Sequence, residues 1–174
     1  MSESRDTPAA WLTGNRHLLP RTGTALDLAC GRGRHALWLA AQGFRVSAVD
    51  RDAAALSYLA EEARSRGLSA IVTAVADLER VENVVQPDTF DVIVTVHYLH
   101  RPLFPQLIDA LRPGGVLVYE TFTTAQAARG KPTNPDFLLR PGELLQLVQP
   151  LDVLASREGE FDGRDVASVV ARKP

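Results

Sequence analysis

Apolar positions along this chain follow two rhythms. Short apolar or β-branched runs at 24–29, 44–49, 70–76, 90–96 and 116–123 are too brief for independent helices and read as strands. Between them the spacing is helical. Ala36, Leu37, Leu39 and Ala40 form an apolar face with Gly43 placed to end that helix. A second helix opens at Arg51 or Asp52 and runs through Arg66 to a stop at Gly67. A third starts at Pro102 and ends near Arg112, where Pro113-Gly114-Gly115 turns the chain into the fifth strand. Such alternation predicts an α/β fold, a Rossmann-like doubly wound and mostly parallel sheet. The strands expected at 151–157 and 165–172, joined by a turn-rich segment, suit an antiparallel C-terminal hairpin. Thr7 is placed to cap a short helix starting at Pro8, and Pro141-Gly142-Glu143 to open one through Gln149. A Pro-containing connection fills 80–89, and 124–140 reads as a loop.

The junction of the first strand and helix carries the chemistry. Gly31 and Gly33 permit a tight turn and close approach of a ligand, and the free N–H groups of the following helix favour an anionic group. Asp50 closes the second strand, where open α/β sheets bind ligands and an acid can accept both ribose hydroxyls. These features predict a nucleotide-binding half-fold.

The stretch Asp27-Leu28-Ala29-Cys30-Gly31-Arg32-Gly33 resembles the D/E-x-G-x-G-x-G turn of class I S-adenosylmethionine-dependent methyltransferases, with Ala29 in place of the first glycine. Asp77-Leu78 after the third strand looks like the family's adenine-reading acid. Phe90-Asp91-Val92-Ile93-Val94-Thr95-Val96 and Leu111-Arg112-Pro113-Gly114-Gly115-Val116-Leu117-Val118 are similar to its fourth strand and its entry to the fifth. The DLACGxGRxAxxLA and GxxVxAVD patterns, with residues 137–145, resemble the small tellurite-resistance-type methyltransferases. The resemblance implies S-adenosylmethionine as cofactor. By it, Asp27, Ala29, Gly31 and Gly33 cradle the methionine portion beside Cys30. Asp50 takes the ribose, Arg51 flanks the adenine, and Asp77 with Leu78 reads the adenine amino edge. Thr95 or Val96 offers a carbonyl to the ammonium. Asp27 is alternatively a brace for the glycine-loop amides, and Cys30 an inert turn filler, since no nearby base would activate it.

Two rival readings use the same residues. Gly31-Arg32-Gly33-Arg34-His35-Ala36 fits the GxGxxA turn of nicotinamide oxidoreductases, against which stand Asp27, Asp77 and a chain too short for a second catalytic domain. A noncatalytic S-adenosylmethionine binder or sensor is the other.

Composition narrows the partners. With 174 residues, 45% of them hydrophobic, one core suffices, so a single domain is expected over 1–174, with 1–20 as an N-terminal extension. A net charge of −2 gives no general attraction to a phosphate backbone, so no nucleic acid is expected. No apolar run is long enough for a membrane span, and the lone Cys30 suits a cytoplasmic protein. The histidines show no metal-ligand spacing, so no metal is expected. A small-molecule acceptor and a monomer or weak homodimer complete the expectation.

Acceptor residues are sought after the fourth and fifth strands. Val96-His97-Tyr98-Leu99-His100-Arg101 lacks the [N/D]PP[Y/F] motif of many amino-nitrogen methylators. His97 or Tyr98 is placed to orient or deprotonate an acceptor; equally, His97 is a helix-entry residue and Tyr98 a wall of the cofactor pocket. Residues 124–140 would suit a lid, with Glu120, Arg129, Lys131 and Arg164 as acceptor contacts, or a solvated connector.

Overall fold

In the computed structural model, residues 6–80 and 85–174 are described. Part of the predicted connection at 80–89 lies outside them. The parallel strands are β1 (Gly23–Leu28), β2 (Phe44–Asp50), β3 (Ile71–Val75), β4 (Phe90–Val96) and β5 (Leu111–Phe122). The closing strands β6 (Asp152–Phe161) and β7 (Arg164–Arg172) are antiparallel, and the seven strands take the order β3-β2-β1-β4-β5-β7-β6. The chain winds outward from β1 to β3, then returns to lay β4 on the other side of β1. That reversal opens a crevice beyond the carboxyl ends of β1 and β4. The mostly parallel α/β sheet with its antiparallel C-terminal hairpin is the expected one.

Strand alternation splits the core in two. Ala25, Val92, Val94, Val116 and Val118 face α1 (Ala10–Gly14), α2 (Arg34–Ala41) and α3 (Ala53–Ser65). Leu26, Leu28, Ile93, Leu117 and Tyr119 face α4 (Phe104–Ala110) and α5 (Glu143–Leu147). The Tyr119 hydroxyl donates to the Tyr98 carbonyl at 2.7 Å, fixing the start of the loop after β4 from below.

Asp52 caps α3, accepting from the backbone N–H of Ala54 and Ala55 at 2.9 and 3.1 Å. Thr7 makes no such cap: α1 begins at Ala10 with Ala9 before it and no side-chain bond. The third expected helix is divided into a 3-10 turn at Arg101–Leu103 and α4, which stops at Ala110. α5 is shorter than expected, and 124–140 holds two 3-10 turns, Thr124–Ala128 and Pro135–Phe137. Among the described residues, no helix is long and apolar enough to cross a membrane.

Gly33 is a packing position. It lies at φ +78°, and a Cβ there would come within 2.3 Å of the Leu59 side chain, so its bare backbone lets the start of α2 approach α3. Gly33→Ala is therefore expected to destabilise by about 2–4 kcal/mol through strain and overpacking, read as a lower midpoint in urea unfolding with an unchanged slope.

Candidate active site

Five strand ends converge on one cavity of about 610 Å³, a volume suited to a small ligand. Ala29 follows β1, Asp50 and Arg51 end β2, and Ala76, Asp77, Leu78 and Glu79 follow β3. His97, Tyr98 and Leu99 follow β4, Thr121 and Phe122 end β5, and Lys131, Pro132 and Phe137 come from the loop above.

The two strand ends flanking the topological reversal are bent. Ala29 at φ +53° and His97 at φ +59° both adopt the left-handed conformation that non-glycine residues avoid, and such strain concentrates at ligand sites. In place of the family's glycine, Ala29 keeps the glycine-like backbone. His97 is anchored by its backbone N–H to the Glu120 carbonyl at 2.8 Å and by stacking on Phe122, with ring centroids 4.6 Å apart.

Asp50 joins two walls of the crevice. Its Oδ2 accepts from the Gly31 N–H at 2.7 Å and its Oδ1 from the Asp52 N–H at 2.9 Å, which leaves each carboxylate oxygen a second lone pair for a ligand hydroxyl. A Cβ on Gly31 would meet no atom within 4 Å, so open space lies beside this turn. Asp77 accepts from the Glu79 N–H at 3.1 Å and faces Arg80 at 3.3 Å. Burial first, then the nearby Glu79 and Asp77 carboxylates, push the Tyr98 phenol up to about 12. Among the described residues its buried hydroxyl has no hydrogen-bond partner, an unspent polar group near the acids of the β2–β3 side. Tyr98 lines the cavity beside Asp77 and Glu79.

Asp27 lies beneath the cavity rather than on its wall. Its Oδ2 accepts from the Ala36 N–H at 2.8 Å, bracing α2, while among the described residues Oδ1 has no hydrogen-bond partner. Burial pushes this carboxyl up to about 7, and burial drives the neighbouring His35 imidazole down to about 3. At 3.9 Å the two are too far apart for a hydrogen bond, and both are neutral over much of the acid range. Burial likewise raises the Cys30 thiol, leaving it unreactive. Thr95 and Val96 are buried at the end of β4 and do not line the cavity; among the described residues the Thr95 hydroxyl has no hydrogen-bond partner.

Three expected acceptor contacts are spent elsewhere or out of reach. Glu120 accepts from the Ser168 hydroxyl at 2.6 Å and from Arg157 at 3.0 Å on the opposite face of the sheet. Arg129 is held by Asp165 and Glu160 of the β6–β7 hairpin. Arg164 begins β7 and is not among the cavity residues. Of the four, Lys131 lines the cavity. Thr121, Phe122, Pro132 and Phe137 were not anticipated; Thr121 and Phe122 are adjacent on β5 and both line the cavity, so strand alternation alone does not mark them.

The loop above the cavity is tied down. Arg101 donates to Glu143 at 2.6 and 2.9 Å and to the Asp136 and Leu138 carbonyls at 3.0 and 2.9 Å. The Arg101 hydrogen bonds hold the Glu143 carboxyl down at about 2.

The family described as a methyltransferase domain matches residues 25–115, more than half of the chain. The chain belongs to this family. It is thereby placed among the S-adenosylmethionine-dependent enzymes that the sequence resembles, and the nicotinamide reading falls. The ribosomal RNA small subunit methyltransferase C of Alcanivorax borkumensis is 33% identical over 107 residues, which cover 58% of this chain and 33% of that protein. The chain thus spans about a third of the length of this curated relative. TehB from Haemophilus influenzae superposes with a TM-score of 0.81 at 21% identity, covering 98% of this chain and 64% of TehB. An S-adenosylmethionine-dependent methyltransferase from Mesorhizobium loti gives 0.74 at 21%, covering 95% and 98%. Both likenesses concern the fold.

The crevice residues fit that cofactor chemically. Asp50, Asp77 and Glu79 are acceptors for hydroxyl and amino donors, and the Tyr98 hydroxyl is unspent.

Asp27 and His35 offset each other in pH. A raised carboxyl in the folded state is stabilising below pH 4 and loses that contribution as pH rises through about 7. A depressed imidazole is stabilising above about 6.5 and loses it as pH falls toward 3. Between about 4 and 6.5, folded and unfolded forms of the pair hold the same number of protons, and the slopes cancel. Asp27→Asn removes one side, so its stability is expected to fall progressively below pH 6.5 relative to the parent chain, as measured by urea midpoints from pH 7.5 to 4.5.

Proposed function

We propose that this chain transfers a methyl group from S-adenosylmethionine to a small-molecule acceptor by in-line displacement. The observation that carries this is the convergence of five strand ends on one cavity whose acids lie on the β2–β3 side. The cofactor supplies an electrophilic methyl group on a sulfonium, so the protein's task is alignment and exclusion of water. Positioning of that kind is worth about 7–11 kcal/mol of barrier.

Asp50 accepts the ribose hydroxyls, Asp77 and Leu78 meet the adenine edge, and the Tyr98 hydroxyl bonds to the nucleoside. Asp27 and the Gly31 turn hold the methionine end through the braced loop. His97, fixed by Phe122 and by its backbone bond to Glu120, orients the acceptor or takes its proton. Phe137 and Lys131 close the far side as a lid. A cytoplasmic monomer or weak dimer belongs to the same proposal.

The curated relative is a ribosomal RNA methyltransferase, which favours a nucleic-acid acceptor as the second reading. Against it stand the net charge of −2 and a cavity roofed by the chain's own loop, both ill-suited to a phosphate backbone.

Calorimetric titration with S-adenosylhomocysteine is expected to show one site, weakened in Asp50→Ala by about 1.5–3 kcal/mol for the lost hydrogen bonds. Asp50→Asn, which keeps one acceptor, separates ligand contact from loop support by losing less. Unchanged affinity in both variants, or tighter binding of a nicotinamide dinucleotide, would reject the site. Methyl transfer from labelled cofactor to bulk RNA, with none to small molecules, would establish the second reading instead.

A further inference from the structure

We infer that the acceptor is a flat organic anion, an aromatic thiolate or phenolate whose ring lies against Phe137 and the stacked Phe122–His97 pair and whose charge faces Lys131. This rests on the methyltransferase reading and names the substrate class of the same cavity.

The cavity is divided by charge. Its three carboxylates, Asp50, Asp77 and Glu79, are all on the β2–β3 side, which stays net negative with Arg51 among them and where the nucleoside is placed. The remaining wall comprises His97, Thr121, Phe122, Lys131, Pro132 and Phe137, with one ammonium and no carboxylate. A cationic acceptor amine would gain no counter-charge there and would face Lys131.

Lys131 is also uncommitted where its neighbours are not. On the same loop Arg129 is bound by Asp165 and Glu160, and Arg140 by Glu143. Among the described residues Lys131 has no carboxylate partner, yet its backbone is fixed. Buried Gln126 donates to the Lys131 carbonyl at 3.2 Å and accepts from the Asp165 N–H at 2.9 Å. The Gln126 bond thus fixes the backbone from which the exposed Lys131 side chain reaches the cavity, and its ammonium has no carboxylate among the described residues to draw it away from an anion there.

The aromatic part of the inference comes from Phe137. It is 47% exposed although it lines the cavity, and the stacked His97 and Phe122 rings lie on the same acceptor wall. A flat ring covering Phe137 would bury that surface, which a small inorganic oxyanion would leave wet.

With a thiolate or phenolate, the acceptor's lone pair forms the bond to the methyl carbon while that carbon's bond to the cofactor sulfur breaks, its electron pair remaining on the sulfur. The acceptor's negative charge and the sulfonium's positive charge cancel. No proton has to leave.

The test compares benzoate, benzyl alcohol and benzylamine by calorimetry on the protein saturated with S-adenosylhomocysteine. Benzoate is expected to bind about tenfold tighter than benzyl alcohol, the scale of one charge-assisted contact, and benzylamine weakest. Lys131→Met should bring benzoate and benzyl alcohol together, and Phe137→Ala should weaken both. In turnover with labelled cofactor at neutral pH, 4-methylbenzenethiol, which reacts as the thiolate, should be methylated with a lower KM than phenylmethanethiol, which is protonated there, and Lys131→Met should close that gap. Equal binding of the three probes, preference for benzylamine, or methylation of selenite alone would overturn the inference while leaving cofactor binding intact. Failure of S-adenosylhomocysteine to bind the parent chain would remove the underlying reading and this inference with it.

Discussion

The Asp50 carboxylate is the tie on which the crevice depends. Parallel strands all end at one edge of the sheet, and their last backbone groups need partners that the sheet no longer supplies. Asp50 spans the gap, taking the Gly31 N–H from the turn after β1 and the Asp52 N–H from its own turn. Asp52 in turn caps α3, so one short acidic segment fixes the glycine turn, the tip of β2 and the start of a helix. Because each oxygen is left with acceptor capacity, the group that builds the crevice is also able to read a ligand's hydroxyls.

Much of this was legible because the constraints are local. Gly31, Asp50 and the β-branched runs sit where chain geometry alone demands them, and β1 to β5 lie within a residue or two of expectation apart from the early start of β5 at Leu111. The two glycines nevertheless divide the work in a way that spacing does not reveal. Gly31 borders open space, whereas Gly33 is required by Leu59, 26 positions further along the chain. Contact between α2 and α3 is a property of the packed molecule.

The acceptor side was read less well for a related reason. Charged residues near a strand end attract attention, but their charge is available to a ligand only if nothing in the fold consumes it. Glu120 and Arg129 are each neutralised by a partner distant in sequence, Arg157 and Asp165 respectively. Adjacent Thr121 and Phe122 both reach the cavity at the end of β5, so alternation does not mark them, and no spacing rule exists for the loop and 3-10 turns that bring Lys131 and Phe137 over it.

Those turns lay the chain's own backbone over the cavity. Arg101 leaves the loop after β4 and reaches both the Asp136 and Leu138 carbonyls and the Glu143 carboxylate. It therefore joins the segment that carries His97 to the segment that carries Phe137. The Tyr119 hydroxyl holds the Tyr98 carbonyl from the core, so the His97 side of this linkage is the stiffer one. Displacement of the roof would cost its hydrogen bonds to Arg101 while leaving the floor in place, and water would be admitted from the Lys131 side. The Arg101–Glu143 ion pair thus ties the loop after β4 to the segment over the cavity, and the proposed reaction, relying on alignment and dryness, would depend on that tie.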